Sequence, residues 1–153
     1  MKIHFNHTEP VDAPAEVLFD VITDYTSYPS FNSALIKVEV VAKDQNGAEF
    51  LADRKTKIGK QVRAFDRYER NGDLVIERTY DGNESARSTW TVHAVNDGHC
   101  MLTVDASQTM GPVRGLAMEP ALKHLFYSIN FTPFIEEAER RASSDRTGQP
   151  QLP

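Results

Sequence analysis

The sequence predicts a single α+β domain: a seven-stranded antiparallel sheet that curves around a long C-terminal helix, with two short helices between strands 1 and 2. Three observations predict it. Asn/Asp/Gly turn signals recur at short, regular intervals through the middle of the chain. The apolar pattern there has period two, and from about residue 113 it changes to a helical period.

The elements follow in order. Residues 2–10 mix His, Phe, Ile and Thr and read as a first strand. A helix comes next: Pro14 suits a first turn, where a missing N–H costs nothing, Glu16 complements the helix dipole, and Val17, Leu18, Val21 and Ile22 make one apolar stripe. Pro29 ends regular helix within Asp24-Tyr25-Thr26-Ser27-Tyr28-Pro29-Ser30-Phe31, where a short second helix or turn fits best. The turn signals are Asn46-Gly47, Asn71-Gly72-Asp73, Asp81-Gly82-Asn83 and Asn96-Asp97-Gly98, with a further break at Ile58-Gly59-Lys60. Between them lie runs at about 35–43, 48–57, 61–70, 74–80, 85–95 and 100–110, the spacing of an antiparallel meander rather than of βαβ units. Over 113–141 Leu122, Leu125, Phe126 and Ile129 form an apolar stripe, continued by Phe134, Ile135 and Ala138; Pro133 inside it predicts a kink. Glu136, Glu137, Glu139, Arg140 and Arg141 read as a solvated last turn and a half. The domain is therefore expected over 1–142, followed by a disordered polar tail over 143–153 that carries two prolines.

Composition narrows the function. The chain has 153 residues, 40% hydrophobic and 25% charged, with a formal net charge of -5. Basic residues are scattered along strands, so a nucleic-acid partner is not expected. No window approaches the ~18 apolar residues of a membrane span. One cysteine, Cys100, allows no internal disulfide, and no export signal is visible; both point to the cytoplasm, as a monomer or homodimer. The five histidines form no metal motif and no Gly-rich phosphate loop is present, so neither a metal nor a cofactor is expected.

Strand parity sorts the faces. Ile36, Val38 and Val40 share one side of the second strand; Phe50 and Ala52 share a side with Arg54; Trp90, Val92 and Ala94 align with Ser88; Leu102, Val104 and Ala106 align with Gln108. On the fourth strand Val62, Ala64 and Tyr68 compete with Phe65 and Arg67, and on the fifth Leu74, Ile76, Arg78 and Tyr80 compete with Val75. Arg54, Ser88 and Gln108 thus point inward beside Phe50 and Trp90. A lone buried arginine is costly, and a solvated or ligand-filled space removes the cost. Tyr68 and Tyr80 could donate acidic O–H groups to a carbonyl. Asn130, next to Ile129 on the buried stripe, could hydrogen-bond a ligand.

Three segments resemble the START-like superfamily, which includes the birch-pollen-allergen fold, lipid-transfer START domains and polyketide cyclases. They are Val11-Asp12-Ala13-Pro14-Ala15-Glu16-Val17-Leu18-Phe19, the Asp24-Tyr25…Tyr28-Pro29-Ser30-Phe31 helix exit, and Trp90-Thr91-Val92 followed by Asn96-Asp97-Gly98. The resemblance spans about residues 3–141. It implies the helix-grip fold and a deep cavity between the concave sheet and the long helix, lined by Phe31, Phe50, Arg54, Arg78, Tyr80, Ser88, Trp90, Gln108, Leu122, Phe126 and Asn130. In the polyketide cyclase branch a mid-sheet arginine polarises substrate oxygens, and the resemblance puts Arg67 near that place; an enzyme of this kind would use Arg67 or Arg54 with a tyrosine, Tyr68 first, to stabilise an enolate. The leading expectation is binding or carrying of a lipid-, quinone- or polyketide-like molecule. The alternatives are a cofactor-independent cyclase/dehydratase and a protein-interaction module such as some bacterial relatives form.

Overall fold

A computed structural model describes residues 2–55, 61–80, 83–109 and 131–148. Strand β1 (Lys2–Val11) leads into helix α1 (Ala15–Thr23), a 3-10 turn (Tyr25–Ser27) and the short helix α2 (Tyr28–Phe31). Six strands follow: β2 (Leu35–Asp44), β3 (Gly47–Arg54), β4 (Gln61–Asn71), β5 (Asp73–Tyr80), β6 (Asn83–Asn96) and β7 (His99–Thr109). Helix α3 covers Thr132–Gly148. All seven strands form one antiparallel sheet in the order β1-β7-β6-β5-β4-β3-β2, so the meander predicted from turn spacing holds and β1 closes it beside β7. This is the helix-grip α+β architecture.

The turns work as their residues dictate. Gly72 has φ 83°, the left-handed conformation that a side chain resists, and Asn71 and Asp73 pair across it. Asp44 Oδ1 accepts from the backbone N–H groups of Asn46 and Gly47 at 2.7 and 3.1 Å, fixing the β2–β3 turn. Asn96 Oδ1 does the same for Gly98 at 2.9 Å. Gly47 has a second duty: a Cβ there would lie 2.2 Å from the Asp66 carbonyl oxygen, so only glycine allows β3 to approach β4 at this point.

Alternation holds through most of the sheet. Leu74, Ile76, Arg78 and Tyr80 win the inner face of β5, and Val62, Ala64, Asp66 and Tyr68 that of β4. Two exceptions correct the sequence reading. Ile36 is 58% exposed, not inside with Val38, because the β2–β3 register shifts between Leu35 and Lys37 and turns it outward. Ala94 is exposed at the end of β6, where the register with β7 shifts before Asn96.

The core lies between the sheet and the helices. Leu18, Phe19, Val21 and Ile22 of α1 and Phe134, Ile135, Ala138 and Ala142 of α3 are buried. Pro14 caps α1, its carbonyl accepting from the backbone N–H groups of Val17 and Leu18 at 3.1 and 3.2 Å. Glu137, expected in solvent, is buried. Its carboxylate accepts from Arg140 at 2.6 and 2.8 Å and from Arg141 at 3.0 Å, and Arg141 also donates to Asp24 Oδ2 at 3.0 Å, tying α3 to the end of α1. These arginines hold the Glu137 carboxyl below its usual range against the opposing effect of burial. Helix α3 continues to Gly148, so residues 143–148 of the expected disordered tail are helical; Ala142 still faces the core one turn earlier and extends the helix. The expected helix over 113–130 falls outside the described residues; Pro133 itself stands in the first turn of α3, where a missing N–H costs nothing.

Candidate ligand-binding site

Antiparallel register builds the site. Asp66 lies opposite Arg78 across β4 and β5, and Arg78 lies opposite Ser88 across β5 and β6. The same row continues to Ala48 on β3 and Ala106 on β7. A polar trio thus crosses the middle of the inner face, with two small alanines at its ends. All three are buried, at 6% exposure for Asp66, 5% for Arg78 and 3% for Ser88.

The trio satisfies itself in part. Arg78 grips Asp66 bidentately, Nε to Oδ1 and Nη2 to Oδ2, both at 2.7 Å. Arg78 Nη2 also donates to the Tyr28 hydroxyl at 3.0 Å, and that hydroxyl donates to the Ile22 carbonyl. Tyr25 donates its hydroxyl proton to Asp66 Oδ2 at 2.6 Å. Because that proton is committed, the Tyr25–Tyr68 contact runs from the Tyr68 hydroxyl to the Tyr25 oxygen. Trp90 Nε1 donates to Ser88 Oγ at 2.9 Å, leaving the serine proton for another acceptor. The other free donor is Arg78 Nη1, which meets no acceptor among the described residues.

Aromatic rings enclose the guanidinium. Its carbon lies 4.9 Å from the Phe50 centroid, 5.6 Å from Trp90 and 6.0 Å from Tyr28. Phe134 of α3 stands edge-on to Trp90 at 5.3 Å and to Tyr28 at 5.0 Å, bringing the helix to the same wall. Tyr25 stacks on Phe50 at 4.6 Å. Burial alone would lower the arginine's pKa, but the Asp66 carboxylate reverses this and raises it well above normal, so Arg78 stays protonated. Burial also raises the phenols: Tyr25 most, with Asp66 adding to the effect, then Tyr28 and Tyr68.

The candidates named from sequence divide accordingly. Phe50, Arg78, Ser88 and Trp90 sit together on the inner wall. Phe31, half-buried on α2, meets Phe134 edge-on at 5.7 Å, and half-buried Tyr80 lies under the Arg54 guanidinium at 5.9 Å. Arg54 itself is exposed at the end of β3, and Gln108 is exposed near the end of β7, although the parity of both is inward. Arg67 is corrected. Its side chain is 73% exposed on the outer face and pairs with Glu69 at 3.3 Å, because strict alternation on β4 gives the inner face to Asp66 and Tyr68. Tyr68 is on the inner side of β4, half-buried, with its hydroxyl bound to Tyr25. Leu122, Phe126 and Asn130 lie outside the described residues.

Sequence reasoning missed Asp66, Tyr25, Tyr28 and Phe134 as site residues. Asp66 was findable: it and Arg78 are equally far along the chain from Gly72, so a hairpin centred there puts them opposite each other. Tyr25 and Tyr28 gave no such signal, since their hydroxyls reach the sheet only through the tertiary path of the 3-10 turn.

Beyond this wall, a cleft of about 540 Å³ opens between α1 and the β2–β3 turn, lined by Phe19, Thr23, Lys43, Asp44, Gln45, Asn46, Tyr68 and Arg70. Among the described residues no group of three metal-ligating side chains comes together, and no described helix is long and apolar enough to cross a membrane.

Known proteins share this architecture. The aromatase/cyclase ZhuI from Streptomyces sp. R1128 superposes with a TM-score of 0.69 at 18% identity, covering 92% of this chain and 96% of that one. Human STARD10 gives 0.71 at 15% identity, covering 99% and 68%. A START superfamily protein from Mycobacterium smegmatis gives 0.61 at 15%, covering 93% and 98%. No curated protein sequence matches the chain. The family described as polyketide cyclase/dehydrase and lipid transport matches residues 2–130, and this chain belongs to it.

Proposed function

We propose that this chain binds an apolar small molecule between the concave face of its sheet and its C-terminal helix, with the Asp66–Arg78–Ser88 row as the polar end of the site. One observation carries the reading: Arg78 and Ser88 lie opposite each other within a wall of Phe50, Trp90 and Phe134, and Arg78 Nη1 and the Ser88 hydroxyl proton meet no acceptor among the described residues. An apolar lining with a few directed polar groups is the usual form of a small-molecule site. Membership of a family described as polyketide cyclase/dehydrase and lipid transport supports it, as does the likeness to an aromatase/cyclase. The single cysteine and the acidic net charge favour a cytoplasmic protein without a nucleic-acid partner, acting as a monomer or homodimer. Native mass spectrometry of protein purified without detergent, with titration of the neutral dye Nile red, tests the reading. A copurified apolar adduct or saturable dye binding that weakens in Trp90→Ala is expected. A bare protein mass together with no saturable dye binding would remove the proposal.

A second reading, a cofactor-independent cyclase or dehydratase, draws on Arg78 rather than Arg67. Its guanidinium is permanently protonated, buried and partly free, as a group that stabilises an enolate oxygen must be. Incubation with a poly-β-ketone thioester would show a product spectrum distinct from spontaneous cyclisation. A spectrum identical to that without protein would eliminate it.

A further inference from the structure

We propose that Asp66 makes this site selective for charge: it admits neutral hydrogen-bond acceptors such as ketones and excludes the corresponding carboxylates. The inference rests on the binding reading above and names the ligand class that reading leaves open.

Arg78 is the one cation among the described buried residues of the inner wall, and an arginine so placed would ordinarily recruit an anion. Here its anion is built in. Asp66 is fully enclosed, takes two of the arginine's donors at 2.7 Å, and is held by Tyr25 at 2.6 Å, so it cannot swing aside for an incoming carboxylate. The row is thus a neutral pair before any ligand arrives. A carboxylate at Arg78 Nη1 would meet the arginine's attraction reduced by Asp66 on the same guanidinium. It would still bear the whole cost of leaving water. The tyrosines cannot offset that cost: the protons of Tyr25, Tyr28 and Tyr68 are committed to Asp66, Ile22 and Tyr25. A carbonyl oxygen bears a far smaller desolvation cost and can accept from Arg78 Nη1 and from Ser88 Oγ, which takes the Trp90 donor on its oxygen and whose own proton meets no acceptor among the described residues.

The test is a matched pair of probes differing only at the polar end, 2-acetylnaphthalene and 2-naphthoate, titrated calorimetrically into the full chain at pH 7. The ketone is expected to bind at least about tenfold more tightly than the carboxylate. In Asp66→Asn, which removes the charge at nearly constant shape, 2-naphthoate is expected to gain and the ratio to fall below about threefold. Equal binding of the two probes to the wild type, or an unchanged ratio in a folded Asp66→Asn, would overturn the inference. If Asp66→Asn does not fold, the wild-type ratio decides alone. Binding of Nile red but of neither naphthalene probe would overturn the selectivity and leave the binding reading standing. Binding of none of the three would overturn that reading itself.

Discussion

Replacing Asp66 by alanine removes the acceptor of three hydrogen bonds at 2.6–2.7 Å and leaves the Arg78 charge 5% exposed with no other counter-ion among the described residues. Breaking one side of a buried pair costs about 3–5 kcal/mol, most of it the burden of the stranded charge. Tyr25 adds little, since its hydroxyl keeps Tyr68 as a neighbour. A domain of this size is stable by about 5–15 kcal/mol, so the loss is a large part of the whole. At about 2–4 °C per kcal/mol, Tm is expected to fall by roughly 6–20 °C. The double replacement Asp66→Leu with Arg78→Met removes both charges and should recover most of the deficit, so the two changes are strongly non-additive. Urea denaturation followed by tryptophan emission measures this directly, because Trp90 is the only tryptophan and sits against both Ser88 and Phe134. A cost below about 1 kcal/mol for Asp66→Ala, or a double variant as unstable as the sum of the singles, would refute the view that the pair is buried and mutually dependent.

Three further outcomes are expected. Arg67→Ala should change stability by no more than about 0.5 kcal/mol and leave Nile red binding untouched, as befits an outer-face residue; a large loss of binding would put Arg67 back on the inner wall. Partial burial and the nearby Glu16 carboxylate raise the pKa of Asp20. A raised carboxyl pKa is a penalty on the folded state when ionised, present at neutral pH and relieved as pH falls through the folded value. Asp20→Asn should therefore stabilise the protein at pH 7 by a few tenths of a kcal/mol after solvent screening, and not at pH 3; equal effects at both pH values in thermal melts would contradict the sign. Gly47→Ala drives a methyl group onto the Asp66 carbonyl, so β3 and β4 must separate beneath the Asp66–Arg78 pair. Chemical denaturation should report a loss above about 2 kcal/mol, and a neutral substitution would show that β3 can shift freely.

The fold was readable because its signals are local. Each Asn/Asp/Gly turn sits where a hairpin needs it, and period-two alternation placed Phe50, Ser88, Trp90 and Leu102 correctly. Parity failed in two situations. At Ile36 a register shift, invisible in the residue pattern, reversed the faces. At Arg54 and Gln108 the parity was right but both residues are exposed, because alternation assigns a face and not the depth of burial along the strand. The Arg67 reading followed a resemblance against the alternation of its own strand, and the alternation prevailed. The tyrosine hydroxyls were not legible. Their partners lie 41 and 43 residues from Tyr25 and 50 from Tyr28, and are brought near only by the packing of the 3-10 turn and α2 onto the sheet. Glu137 was misread for a related reason: a run of charges resembles a solvated surface unless the ion pairs that let one of them pack inward are known.

The irregular edge of β2 bears on how the molecule behaves in company. This ten-residue strand ends the sheet, and an outermost strand is where a second chain could add itself and start aggregation. Its pairing with β3 slips between Leu35 and Lys37 and again between Val40 and Ala42, and Lys37, Glu39 and Lys43 are exposed along it. A strand arriving from another molecule would have to match two interruptions and bring its backbone past those charges. The same slips thus work against strand addition at this border, at the expense of two apolar side chains, Ile36 and Val41, left in water.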